Sequence, residues 1–190
     1  MGKIIISANA SLDGVAQDPT GEEGFRSGGW FGQITDKDRQ AWAELGAQEA
    51  LDASALLLGR LSDAWFASRW MGRPGPWAER LNAMPKYVLS STLKTPEWSN
   101  ATVLSGDLSG EIMKLTSRID GDIVVIGSLQ LVQALWTHDL VDELRLKVFP
   151  VTLGGGRRLF PENGEMKSMR RTAAAALGDG LSYLIYERAR

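Results

Sequence analysis

With 190 residues, a net charge of −2, one histidine and no cysteine, the chain has the size of one folded domain. It has no basic surplus for nucleic acid and no thiols for disulfides or nucleophilic chemistry. A lone histidine argues against a zinc site or a Ser-His-Asp triad, so no metal is expected.

No apolar run approaches about 18 residues, so no membrane span is expected. The first residues, KIIISANA, enter a strand at once, so no signal peptide is expected either. The absence of cysteine suits a reducing, cytoplasmic setting.

Lys3 to Ala8 reads as a short buried strand, followed by a Ser11-Leu12-Asp13-Gly14 turn. There Asp13 can bond its own backbone and Gly14 can take positive φ. Val15 to Ile34 has no period, and its GEEGFRSGGWFG stretch holds five glycines beside Phe25, Trp30 and Phe31. A solvated linker does not need such rings. The loop reads as a mobile flap with apolar anchors, or as a surface loop pinned by its aromatics. Thr35 to Asp38 has the form of a capping box with Thr35 as N-cap. It opens a long helix with Ala41, Trp42 and Leu45 on its inner side.

Ala55 to Leu58 is the next buried strand. It ends at Gly59-Arg60 and enters a short helix, LSDAWFASRW. After a Gly/Pro-rich turn at Met71 to Pro76, Trp77 to Leu81 is a helical fragment. Lys86 to Leu89 is a third strand ending in Ser90, Ser91 and Thr92. Three hydroxyls at a strand end suit phosphate oxygens, and equally suit simple turn chemistry. Val103-Leu104 is a short strand, and Leu108 to Ile119 is a helix with Ile112, Leu115 and Ile119 at helical spacing.

Ile123 to Ile126 form an unbroken β-branched run, the pattern of a strand buried on both faces. Gly127 and Ser128 turn the chain into LQLVQALWTH, where Leu129, Val132, Leu135 and Trp136 recur at helical spacing. A strand that passes through glycine straight into a helix points free amides beyond its end, and the helix dipole adds partial positive charge there. With Gly59-Arg60, this makes two such junctions, the arrangement of a dinucleotide lying across strand ends. Val141 to Pro150 then alternates polar and apolar, as a long half-covered strand should. Arg171 to Leu177 and Leu181 to Glu187 are the last strands, joined by a Gly178-Asp179-Gly180 hairpin turn. Helix-linked strands followed by antiparallel ones predict a mixed sheet with helices on both faces.

Several of these pieces resemble the dihydrofolate reductase-like proteins: SLDG, LLLGR, KYVLSST, VVIGSLQLVQAL and DELRLKVFPVTLGGGRRLF. The closest group is the reductase domain of the riboflavin-biosynthesis deaminase/reductases. The resemblance covers nearly the whole chain and is most specific from Asp142 to Phe160. It implies one reductase domain over residues 1–190, an α/β fold built as a three-layer α/β/α sandwich with a mixed, mainly parallel central sheet and a C-terminal antiparallel hairpin. It also implies NADPH as cofactor, a small-molecule substrate and a homodimer. Carried over by position, Leu58, Gly59 and Arg60 would meet cofactor phosphates. Ser90, Ser91 and Thr92 would hold the adenosine 2′-phosphate. Ile126, Gly127, Ser128 and Leu129 would bind the pyrophosphate, and Ala8 would face the nicotinamide. No acidic residue follows KYVLSST, which favours NADPH over NADH because a carboxylate would repel the extra phosphate. Arg60 and Lys94 are candidate charge partners for it.

The zinc-deaminase His/Cys signature is absent, and LGRLSDAWFASRW stands where the riboflavin reductases carry an Asp-Asp-Pro…Arg segment. A riboflavin-pathway substrate is therefore not expected. Folate reductases carry a carboxylate at the start of the first long helix. Asp36 and Asp38 stand near that place as candidate proton donors, although capping alone explains Asp38. Asp13, Trp30 and Phe31 are the candidate substrate contacts, Asp13 being equally ordinary turn chemistry. The expected activity is NADPH-dependent hydride transfer to a small planar heterocycle, pteridine-like or pyrimidine-like. The alternatives are a non-catalytic protein that retains the nucleotide site and a nucleotide-using transferase. The lack of lysine in the GSLQ turn weighs against the transferase.

Overall fold

Alternating burial along the strands sets the layers. The computed structural model describes residues 1–189. Its strands are β1 (Lys3–Ser11), β2 (Ala53–Gly59), β3 (Lys86–Leu89), β4 (Ala101–Leu104), β5 (Asp122–Ile126), β6 (Glu143–Phe149), β7 (Met169–Leu177) and β8 (Leu181–Arg188). All join one sheet in the order β4-β3-β2-β5-β1-β6-β8-β7. The first six run parallel, and β8 and β7 close the sheet antiparallel. The helices are α1 (Asp36–Asp52), α2 (Arg60–Trp70), α3 (Pro76–Ala83), α4 (Leu108–Arg118) and α5 (Leu129–Thr137). This is the dihydrofolate reductase-like α/β sandwich, with its mainly parallel sheet and C-terminal hairpin.

Ile4, Ile6, Leu57, Ile123, Val125 and Leu144 face one side of the sheet, where α4 and α5 cover them with Ile112, Leu115, Leu131, Val132 and Leu135. Their strand neighbours Ile5, Leu56, Leu58, Val88 and Val124 face the other side, under Ala50 of α1, Ala67 and Trp70 of α2, and Ala78 and Leu81 of α3. A slip of one residue would exchange these sets between layers, so burial on both faces fixes the register.

The capping box forms as its spacing predicts: Asp38 N–H donates to Thr35 Oγ1 and Thr35 N–H to Asp38 Oδ2, both at 3.1 Å. The predicted strands and helices are all present, several one to three residues longer than the sequence indicates. β1, for instance, runs to Ser11. The strand expected over Val141 to Pro150 is shorter, Glu143–Phe149.

One expectation changes. β6 alternates, but it is not half-covered. Leu144 and Leu146 face the α4–α5 layer, while Arg145 and Lys147 face α1, and Lys147 is only 4% exposed. A neighbouring glutamate and tyrosine make that polar face buriable, and sequence spacing does not reveal such partners.

The loop from Val15 to Ile34 takes the pinned form. Asp18 is buried and accepts the amides of Glu22, Glu23 and Phe25. Burial raises its carboxyl pKa, but those amides outweigh the effect and lower it. Glu22 reaches α2, accepting from the Trp65 indole at 2.7 Å and from Arg69.

Candidate active site

The parallel strands bring the two glycine junctions and the serine cluster to one rim. β2 and β3 reach it in register at Gly59 and Leu89. Leu57 pairs with Val125, so Gly59 and Gly127 stand level. The chain leaves β5 through two left-handed residues, Gly127 (φ 58°) and Ser128 (φ 52°). Ser128 then laces the junctions together: its Oγ accepts the Gly59 N–H at 2.9 Å, and its N–H donates to Ser62 Oγ at 2.8 Å. A Cβ at Gly127 would lie 3.2 Å from Ser62 Oγ on a backbone that side chains disfavour, so glycine is favoured there.

Among the described residues, no side chain caps the N-terminus of α2 or α5. Helix geometry leaves the amides of Arg60, Leu61, Leu129 and Gln130 without partners in their own helices. Two uncapped helix N-termini side by side on one rim fit a diphosphate, through N–H donors and two positive dipole ends. Arg60 is exposed at the start of α2. On the same rim, Ser90 Oγ accepts from Thr92 N–H at 3.3 Å and Leu93 N–H at 3.1 Å, closing a turn, and Ser91 and Thr92 are exposed. Leu58 is fully buried, so only its backbone is available there.

Where β5 stops short, the pairing of the sheet leaves a crevice along one edge of β1. β5 ends at Ile126, opposite Ser7, whereas β1 continues to Ser11 paired with β6 alone. Past Ile126, the β5 side of β1 has no strand partner among the described residues. Ser7, Ala8 and Asn9 are accordingly half-buried within an otherwise covered central strand. Ser7 and Asn9 share the α1 face. The Trp42 indole donates to Asn9 Oδ1 at 3.0 Å. Since that indole can only donate, Asn9 turns its carbonyl toward α1 and keeps its NH2 for anything in the crevice.

Beneath Ser7 lies a polar cluster that the sequence does not single out. Lys147 Nζ donates to Ser7 Oγ at 2.6 Å and to Glu49 Oε2 at 2.7 Å. Ser7 Oγ donates to Glu49 Oε2 at 2.7 Å, and Tyr183 OH donates to Glu49 Oε1 at 3.0 Å. Burial pushes the Lys147 ammonium below the ordinary lysine range, and Glu49 opposes the shift. Burial also raises the Tyr183 phenol, with the Glu49 charge adding to it. The clue available in the sequence is Lys147 at an alternating position of a strand rich in apolar residues.

The predicted acids are not brought to this crevice as free acids. Asp36 is exposed at the first turn of α1. Asp38 is buried, and its Oδ1 accepts the amides of Asp179 at 2.6 Å and Gly180 at 2.9 Å. Those bonds, the Gly180 amide foremost, hold its pKa at about 2. Asp38 is thus an ionised clasp between α1 and the β7–β8 hairpin, unsuited to giving a proton.

Asp13 is likewise occupied, which corrects its expected place against substrate. Ser11 Oγ donates to it at 2.6 Å and Gly154 N–H at 2.8 Å, and the Ser11 bond leads in lowering its pKa to about 2. Trp30 also moves from substrate contact to core. It is 2% exposed, packs edge-on to Phe149 at 5.0 Å, and donates its indole N–H to Gln17 O. Phe31 is half-buried between Phe149 and Trp42, with centroids at 5.5 and 4.8 Å. It therefore stands beside the tryptophan that orients Asn9.

The model of the RibD C-terminal domain family matches residues 2–183. Over 106 residues the chain is 26% identical to the uncharacterized protein YyaP of Bacillus subtilis (strain 168), a match spanning 56% of each chain. It thus spans about half the length of that curated relative. Among solved structures, a putative riboflavin biosynthesis protein from Shewanella sp. PV-4 superposes with a TM-score of 0.77, at 23% identity over 99% of each chain. RibD from Acinetobacter baumannii gives 0.68 at 14% identity, covering 100% of this chain and 58% of that one. Dihydrofolate reductase from Enterococcus faecalis, solved with NADP(H), gives 0.61 at 17% identity over 99% of this chain and 97% of that one. These likenesses show a shared fold. A family model that runs almost end to end makes the chain a member of the RibD C-terminal domain family.

Proposed function

We propose that the protein is an NADPH-dependent reductase that passes hydride to a small planar heterocycle, pteridine-like or pyrimidine-like. Membership of a reductase family supports an oxidoreductase in general. The observation that carries the specific reading is the laced rim: uncapped α2 and α5 side by side, tied by Gly59 and Ser128, next to a crevice in the centre of the sheet.

Bound reduced nicotinamide supplies the hydride. The chain's own residues bind and orient. The amides after Gly59 and Ser128 would hold the diphosphate. Arg60, Ser91 and Thr92 would meet the adenosine 2′-phosphate. The open edge of β1 at Ala8, past Ile126, would take the nicotinamide carboxamide. Ser7 and Asn9 then form the floor under the substrate ring, with Phe31 beside it. The same reading includes one domain over residues 1–190, a cytoplasmic setting, no nucleic-acid partner and a homodimer. No helix among the described residues is long and apolar enough to cross a membrane.

The test is a cofactor titration followed by tryptophan fluorescence, with seven tryptophans as reporters. NADPH is expected to quench at micromolar concentrations and NADH about tenfold more weakly or worse. No response at millimolar NADPH overturns the reading. The loss of Asp38 as an acid favours, as second reading, a protein that binds NADPH without turnover. That protein would bind the cofactor and oxidise none of it with dihydropteridine, flavin or quinone acceptors.

A further inference from the structure

Hydride transfer to a neutral C=N bond needs a proton at the nitrogen. Of the acids that the sequence offers for it, Asp36 is exposed at the start of α1 and Asp38 is fully engaged. Asp13 and Asp18 are tied to loop amides, and Asp63 of α2 is buried, accepting the amides of Glu97 and Trp98. His138 ends α5, on the opposite layer. One ionisable group that can give a proton lies against the crevice floor: the Lys147 ammonium, 2.6 Å behind the half-buried Ser7 hydroxyl.

Its surroundings suit delivery. Glu49 of α1 and Ser7 of β1 both accept from Lys147, Tyr183 of β8 fixes the second Glu49 oxygen, and Arg145 is the neighbouring cation on β6. On the same face of β1, Asn9 presents a fixed NH2 two residues from Ser7, about 6.6–6.8 Å along the strand. That span fits one heterocyclic ring, held by an acceptor atom at one edge and reached at a ring nitrogen by the other.

We propose, resting on the reductase reading, that Ser7 delivers the proton to the substrate nitrogen and that Lys147, held by Glu49 and Tyr183, replaces it. The substrate is then a neutral ring bearing a reducible C=N bond and, across the ring, an acceptor for Asn9. Hydride from the reduced nicotinamide forms the new C–H bond, and the C=N π pair moves to nitrogen. The Ser7 O–H turns from Glu49 to that nitrogen and protonates it. A proton passes from Lys147 Nζ to Ser7 Oγ, and solvent reprotonates the amine. The nicotinamide is oxidised by two electrons and the ring reduced by two. Ser7 is the catalytic residue, and Lys147 is a positioning and supply residue acting through it.

The test pairs two acceptors with the NADPH-bound protein: neutral quinoxaline, which needs a proton, and its N-methylated cation, which takes hydride without one. Ser7→Ala and Lys147→Met are expected to lower the ratio of neutral to cationic reduction about 100-fold. Ser7→Thr, which keeps the hydroxyl, is expected to restore it to within a few fold. A second readout needs no turnover. Nitrogen NMR of 15N-lysine protein is expected to show Lys147 titrating below the ordinary lysine range, with its midpoint lowered further by Ser7→Ala. NADPH binding by every variant keeps the two ideas apart. If the wild type binds no NADPH, the reductase reading falls and the relay with it. If NADPH binds and the ratio is unchanged in Ser7→Ala, the relay alone is overturned. The same holds if neutral quinoxaline is not reduced at all, or if the Lys147 midpoint ignores Ser7.

Discussion

Gly59 and Ser128, 69 residues apart, are joined by one hydrogen bond of 2.9 Å from the Gly59 amide to the Ser128 hydroxyl. This bond locks the start of α2 to the start of α5, and the hydroxyl turned to Gly59 does not cap its own helix. The lacing therefore aligns two helix ends while keeping the α5 amides open.

Breaking the lace should damage both stability and cofactor binding. Ser128→Ala leaves the Gly59 amide unpaired and is expected to cost about 1–2 kcal/mol in urea unfolding. NADPH affinity should fall several-fold in the fluorescence titration. Gly127→Ala adds a Cβ at 3.2 Å from Ser62 Oγ and 3.4 Å from Phe66 Cε2 on a φ of 58°. It is expected to cost about 1–3 kcal/mol and to weaken NADPH more than Ser128→Ala does.

Arg60 should discriminate between the two nicotinamide dinucleotides. It is exposed at the first turn of α2. Arg60→Gln is expected to weaken NADPH about tenfold, the loss of one charge-assisted phosphate contact, and to leave NADH nearly unchanged. The NADPH preference should also shrink with added salt.

Acid should loosen the clasp between α1 and the β7–β8 hairpin. Asp38 and Asp13 are held at about 2 in the folded protein, against about 3.9 for an unfolded aspartate. Because the folded values are depressed, the unfolded chain takes up protons first as pH falls. Their contribution is complete above about pH 4 and is lost toward about pH 2. Urea midpoints should therefore be flat on the neutral side and drop across that window. Asp38→Asn should lower the neutral midpoint and flatten the drop. Gly178→Ala should mimic its neutral effect, since a Cβ there would lie 2.8 Å from Asp38 N on a φ of 62°.

Lys147 and Glu49 should behave as one unit. Lys147→Met or Glu49→Gln alone strands its partner in a buried site, at an expected cost of about 3–5 kcal/mol. The double variant should lose clearly less than the sum, with a coupling of about 1–3 kcal/mol in the urea-unfolding cycle.

The edge strand bears on the proposed homodimer. β7 exposes Ala173 to Ala176 and carries an unpaired edge, the kind of surface that another chain covers. Light scattering is expected to give twice the 20.7 kDa chain mass. Ala174→Glu is expected to shift it to the single-chain value. A wild type that stays at the single-chain mass at high concentration removes the dimer from the proposal.

Local chemistry made much of this protein legible in its sequence. The Ile123–Ile126 run, the Thr35–Asp38 box and the glycine-ended strands each carry their structural meaning within a few residues, because backbone geometry and burial period are short-range effects. The common rim followed too, since parallel strands linked by helices must end on one side. What only the tertiary structure decided was the fate of polar groups. Asp13, Asp38 and Trp30 have the residue types of a site, yet distant partners such as Gly154, Gly180 and Phe149 helped turn them into clasps and core. Ser7, Glu49, Lys147 and Tyr183 look unremarkable one by one. They meet because β1, α1, β6 and β8 stack over one point of the sheet. Hydrogen bonds and charges act over a few ångströms of space, and sequence separation does not record that distance.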